Sequence, residues 1–127
     1  MAKAPLVTAQ PPDPATVYAT GPQTITASGD SGALSTSGIA NGLLSVFVAG
    51  AAGTSPNLAV YFDVQDAAGQ WITTGTLTAI TSGPNFSFAQ LGPGSGGYLI
   101  TGTGRVRWVV TGTTPSFTGV TISLIGR

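Results

Sequence analysis

From residue 33 onward, apolar side chains recur at every second position in short runs, and each run ends in glycine, proline or a Thr/Ser turn. A period of two is the signature of a pleated strand with one face on a core, and no stretch carries the 3.6-residue period of a helix. Asn57–Gln65 shows the pattern most cleanly: Leu58, Val60, Phe62 and Val64 fall on one face, and Ala59, Tyr61, Asp63 and Gln65 on the other. The first set is expected in the core and the second in solvent. Val106, Trp108 and Val110 alternate against Arg105, Arg107 and Val109, and Val120, Ile122 and Leu124 against Thr121 and Ser123. Phe86 and Phe88 share one side of a further strand, and Trp71–Thr81 is a Thr-rich strand that follows a turn at Asp66–Gln70. Gly42–Ala49 is nearly all apolar, as expected of a strand buried on both faces or covered by a partner.

Residues 1–32 read differently. Pro5, Pro11, Pro12, Pro14 and Pro22 stand where a central strand needs amide donors, so this region is expected to be an extended arm and 33–127 the folded β domain. Val17, Tyr18 and Ile25 are apolar anchors within the arm, on pieces able to add to a sheet edge of this chain or a neighbour. Together these features predict an all-β fold, an antiparallel β-sandwich of jelly-roll-like or immunoglobulin-like type, with a Pro-rich N-terminal arm. The stretches Gly53-Thr54-Ser55-Pro56 and Gly112-Thr113-Thr114-Pro115 repeat one order of residue types, and are expected to be the turns of two equivalent hairpins.

Ionic groups are scarce: four Lys plus Arg and four Asp, 6% of 127 residues, with zero net charge, against about 25% in ordinary domains. A free monomer uses charge to stay wetted and apart from its neighbours, so a chain this poor in it is expected to live in an assembly. Four basic residues are too few to track a nucleic-acid backbone, and no apolar run approaches the length of a bilayer span, so neither nucleic acid nor membrane is expected as a partner. Nor does a secretory signal appear at Met1–Leu6. Without Cys or His, thiolate zinc sites, disulfides, Cys nucleophiles and imidazole bases are excluded. No enzyme, cofactor or metal is expected. Asp63 and Asp66, the one close pair of carboxylates, read as a strand residue and a turn former rather than an acid/base pair. Calcium would ask for a denser run of carboxylates. Gly92–Gly97 runs into a strand, without the helix N-terminus or Lys of a phosphate loop.

What remains is contact chemistry. Tyr61 and Trp71 are expected outside, as anchors for a protein partner or a platform for sugar rings. Arg105 and Arg107 point the same way from one strand and suit a polar contact with a neighbouring subunit. With Pro11, Pro12, Pro14, Val17, Tyr18 and Ile25, these four make up the expected partner interface.

The segment Gly104–Thr118, together with Val64–Trp71 upstream, resembles small β-sandwich proteins of tailed bacteriophages that act as capsid cement or decoration proteins. The resemblance spans about residues 40–127 and rests on turn-and-strand motifs. It implies a structural virion protein on the outer surface of the capsid, binding the major capsid protein as a homo-oligomer, trimer or dimer. A carbohydrate- or receptor-binding module on the virion, or a tail or fibre component, is the alternative.

Overall fold

The computed structural model describes residues 13–93 and 99–127. Its elements are strands alone: β1 (Ala15–Ile25), β2 (Gly29–Asp30), β3 (Leu34–Ser35), β4 (Gly42–Val48), β5 (Gly50–Gln65), β6 (Trp71–Thr76), β7 (Asn85–Leu91) and β8 (Thr103–Gly126). All eight join one antiparallel sheet with the path β6-β5-β8-β4-β7, while β1, β2 and β3 line the other edge of β8.

The organising unit is a long two-stranded ribbon. β4 and β5 are parted only by Ala49, and together they run antiparallel along the whole of β8, from Gly42 opposite Gly126 to Val64 opposite Gly104. Near its middle the ribbon carries two reciprocal bulges. Thr54 lies opposite Thr113, with a register shift on either side. On β5 the extra residue falls at Ser55–Pro56, opposite Gly112; on β8 it falls at Thr114–Pro115, opposite Gly53. Ser55 and Thr114 have φ of 49° and 47°, and Gly53 and Gly112 have φ of 107° and 118°. A bulge accommodates a proline, which lacks a ladder donor, and glycine is required across from it. A Cβ on Gly53 would sit 2.6 Å from the Thr114 carbonyl oxygen, and one on Gly112 would sit 2.7 Å from that of Ser55. The repeated Gly-Thr-hydroxyl-Pro order is thus real, but the expected hairpin turns are instead facing bulges in paired strands.

The sheet curls until its end strands meet, leaving it nearly closed and barrel-like: Gly75 of β6 packs on Leu91 of β7, where a Cβ would fall 2.6 Å from Leu91 Cδ2. The alternation predicts the inside well. Leu58, Val60, Phe62, Val64, Val106, Val120, Ile122 and Leu124 are all buried, joined by Leu44, Val46, Val48, Leu77, Ile80 and Phe117; Gly42–Val48, expected to be buried on both faces or covered by a partner, buries only alternate residues within this chain. Trp108 and Val110 are half-buried against this core.

Where it is described, the N-terminal region takes one of the two courses expected of its β-prone pieces, adding to the sheet edge of its own chain. Ala15–Ile25, assigned to an arm from its prolines, pairs with β8 of its own chain from Ala15 opposite Gly126 to Ile25 opposite Phe117. Its register breaks around Gly21-Pro22, so the proline falls at an irregularity and takes no ladder position that needs its donor. Ile25 is buried in the chain's own core, and Val17 and Tyr18 pack against it. Pro14 is exposed just ahead of β1, beside Leu43, Gln90 and Arg127. Pro11 and Pro12 lie outside the described residues.

Candidate functional site

Two outer faces of the sheet differ from ordinary surface. The first is built on β5, β6 and β8. The outward residues of β5 include Tyr61 and Asp63; across the ladder stand Arg107 opposite Tyr61 and Arg105 opposite Asp63 on β8, and Thr73 opposite Asp63 on β6. Directly opposed residues share a face, so these side chains converge on Asp63. Asp63 Oδ2 accepts from Arg105 Nε at 2.8 Å and from Arg107 Nε at 2.9 Å. Its Oδ1 accepts from Thr73 Oγ1 at 2.7 Å, and Arg107 Nη2 donates to Thr73 Oγ1 at 3.1 Å.

Each guanidinium also lies over an aromatic ring: Arg105 is 4.4 Å from the Trp71 centroid and Arg107 4.5 Å from that of Tyr61. Such contacts are worth about 0.5–2 kcal/mol each. The alternation sends Asp63 outward as expected, yet it is only 1% exposed, because the two arginines and Thr73 roof it over. Burial pushes its pKa up, but the hydrogen bonds from Arg107, Arg105 and Thr73 outweigh that and hold it below the usual aspartate value. Asp63 is therefore a fixed anion, unsuited to carrying a proton in a reaction near neutral pH. Asp66 is occupied elsewhere, its Oδ1 accepting the backbone N–H of Ala68 and Gln70 in a turn. Among the described residues no group of three or more His, Cys, Asp or Glu is placed to hold a metal ion, and no helix is long and apolar enough to cross a membrane.

The second face lies on β4 and β7. Phe47 is opposite Phe86, Ser45 opposite Phe88 and Leu43 opposite Gln90. Phe86 is 63% exposed, Phe88 56%, Phe47 46% and Leu43 36%. The Phe86 and Phe88 rings are nearly parallel, 10° apart with centroids separated by 6.3 Å. No ionic side chain occurs on either strand.

Of the residues expected at an interface, the structure thus gathers Tyr61, Trp71, Arg105 and Arg107 into one cluster, and it spends Val17, Tyr18 and Ile25 on internal packing. Asp63, which sequence reasoning weighs only as half of a carboxylate pair, is the centre of the cluster; Thr73, Leu43 and Phe47 are not singled out by the sequence. The shared parity of Leu43 with Phe47, and of Phe86 with Phe88, was the available signal for the apolar face. No protein-family model matches the chain, and no curated protein matches it.

Proposed function

We propose that this chain is a structural virion protein, a bacteriophage capsid cement or decoration protein that binds the assembled lattice of major capsid protein from outside. The observation that carries the reading is the uncharged aromatic face of β4 and β7, exposed on a chain with almost no charge of its own. Covering each of its phenylalanines would contribute on the order of 1 kcal/mol, and no charge is stranded when the face is occluded. A subunit that binds the assembled lattice and not its dissociated parts stabilises the shell by mass action, so many modest contacts resist internal DNA pressure together. In this reading the curled sheet is a β-sandwich, its two halves bridged by the bulged ribbon. Copies of the chain close into a trimer or dimer on the capsid.

Co-expression with the major capsid protein of the same genome tests this. Assembled shells are expected to carry the chain to the bottom of a sedimentation gradient at a fixed ratio; shells that sediment bare refute the proposal.

One observation favours a second reading, a glycan-binding module on the virion: Phe86 and Phe88 are exposed aromatic rings side by side and nearly parallel, and aromatic side chains commonly line small-molecule sites. The platform is then this pair, because Tyr61 and Trp71 already have guanidinium groups over their rings. Glycan-array binding abolished by Phe88→Ala would support it, and an array without hits would set it aside.

A further inference from the structure

Beyond the virion reading and independent of it, the geometry points to a second binding site: Arg105 and Arg107 form a preorganised clamp for an oxyanion on the outer face of β5, β6 and β8. Both arginines turn their Nε inward, onto the same oxygen of Asp63. That leaves the outer edge of each fork. Among the described residues Arg105 Nη1 and Nη2 have no hydrogen-bond partner, and Arg107 uses only Nη2, toward Thr73 and more distantly Asp63. No buried side-chain nitrogen lacks a partner, so the unused Nη groups face solvent.

Both Nε atoms reach one oxygen, at 2.8 and 2.9 Å, so the two guanidinium groups stand no more than about 6 Å apart at Nε, within the span of one bound carboxylate or phosphate and its waters. Charge favours an anion as well. Two cations share one carboxylate, and no other carboxylate among the described residues comes within ion-pair distance of either. Asp30, opposite Arg107 and on its face, is a further carboxylate but turns Oδ1 to the Gly32 N–H at 2.7 Å and makes no ion pair with either arginine.

Preorganisation sets this pair apart from two solvated surface arginines. The aromatic rings and the Asp63 bonds already fix the side chains, so a ligand need not order them. A guanidinium edge is also weakly hydrated and matched to the paired oxygens of an oxyanion. The shared chemistry is that of one oxyanion, supplied either by free phosphate or by an acidic side chain of a polypeptide.

The test uses the full chain and its own scarcity of arginine. Besides Arg105 and Arg107 only Arg127 is present, so their side-chain N–H signals resolve by nitrogen-15 NMR and Arg127 is an internal control for non-specific ion effects. Sodium phosphate and a short glutamate-rich peptide are titrated separately, with ionic strength held constant by sodium chloride. Saturable shifts of Arg105 and Arg107 with either titrant, absent from Arg127, are expected. Phosphate alone acting assigns the site to free anions, and the peptide acting assigns it to acidic side chains. Arg105→Lys keeps the charge but loses the fork and should weaken binding about tenfold, the equivalent of one charge-assisted hydrogen bond. Should that variant lose its amide dispersion, Trp71→Phe, which weakens only the stack, is expected to lower affinity by a smaller factor. Arg105 and Arg107 moving no further than Arg127 with both titrants overturns the assignment, as does unchanged affinity in a folded Arg105→Lys.

Discussion

The two outer faces are built on one ribbon, yet they solve opposite problems. Past the bulges toward Val64, the outward positions of β5 and β8 carry Tyr61, Asp63, Arg105 and Arg107, whose charges and rings satisfy one another. On the other side of the bulges, β4 and its partner β7 display Leu43, Phe47, Phe86 and Phe88 to solvent, with no ionic residue on either strand and Arg127 beside Leu43 at one end. Strand geometry is common to both, so the difference lies in cross-strand chemistry. The first face pairs its charges within the chain, leaving open only the outer Nη edges of its arginines, and contributes to stability; the second is unfinished and contributes little until something covers it.

The sharpest way to break this contrast is to remove the centre of the first face. Asp63→Ala leaves two half-covered guanidinium groups without their shared partner, and should cost about 2–3 kcal/mol in urea unfolding. A loss below half a kcal/mol would show that the cluster is incidental. Next in size, Gly53→Ala meets both a positive φ and a carbonyl 2.6 Å away, so a loss of about 2 kcal/mol is expected. Gly112→Ala should match it if the two bulges are equivalent.

The effect of pH follows from Asp63. Its folded pKa lies below the unfolded value, so its contribution is fully present above the ordinary aspartate pKa and is lost as pH falls through the folded one. The urea midpoint of the native chain should therefore drop as the solution is taken from pH 6 to pH 2. Asp63→Asn should begin lower and change less, and parallel curves would contradict the assignment. The smallest change in stability belongs to the second face: Phe86→Ser with Phe88→Ser should stay within about 0.5 kcal/mol. The same pair should reduce binding of a hydrophobic dye and any self-association seen by light scattering. If it unfolds the chain instead, the face is part of the core and the contrast fails.

Much of the inside was legible in advance, because alternation reports which face a side chain takes. Leu58, Val60, Phe62 and Val64 were placed correctly by it, and so was the common direction of Arg105 and Arg107. What alternation cannot report is what lies across the ladder. Asp63 faces outward as expected and is nonetheless covered, because its neighbours come from positions distant in the chain, Thr73 on one side and Arg105 on the other. The same blindness turned two facing bulges into two expected hairpins. At Ala15–Ile25 the prolines argue for an arm and the β-prone residues for a strand added to a sheet edge; the strand forms because Pro22 falls at a break in the ladder and pairing survives around it.

The bulge pair also limits how such a chain can change length. Each bulge adds one residue to its own strand, and the two insertions cancel, so the pairing regained at Val64 and Gly104 matches that at Gly42 and Gly126. Because each bulge sets two residues against one, deleting a single residue from Ser55–Pro56 would leave one residue opposite Gly112 and keep Asn57 opposite Thr111, so Phe62 stays inward and Asp63 outward and only the local bend of the ribbon is lost. A residue lost at either bulge is therefore absorbed where it occurs, whereas one lost from the regular ladder on either side would exchange the inward and outward faces of its strand, so viable length variants should cluster at Ser55–Pro56 and Thr114–Pro115.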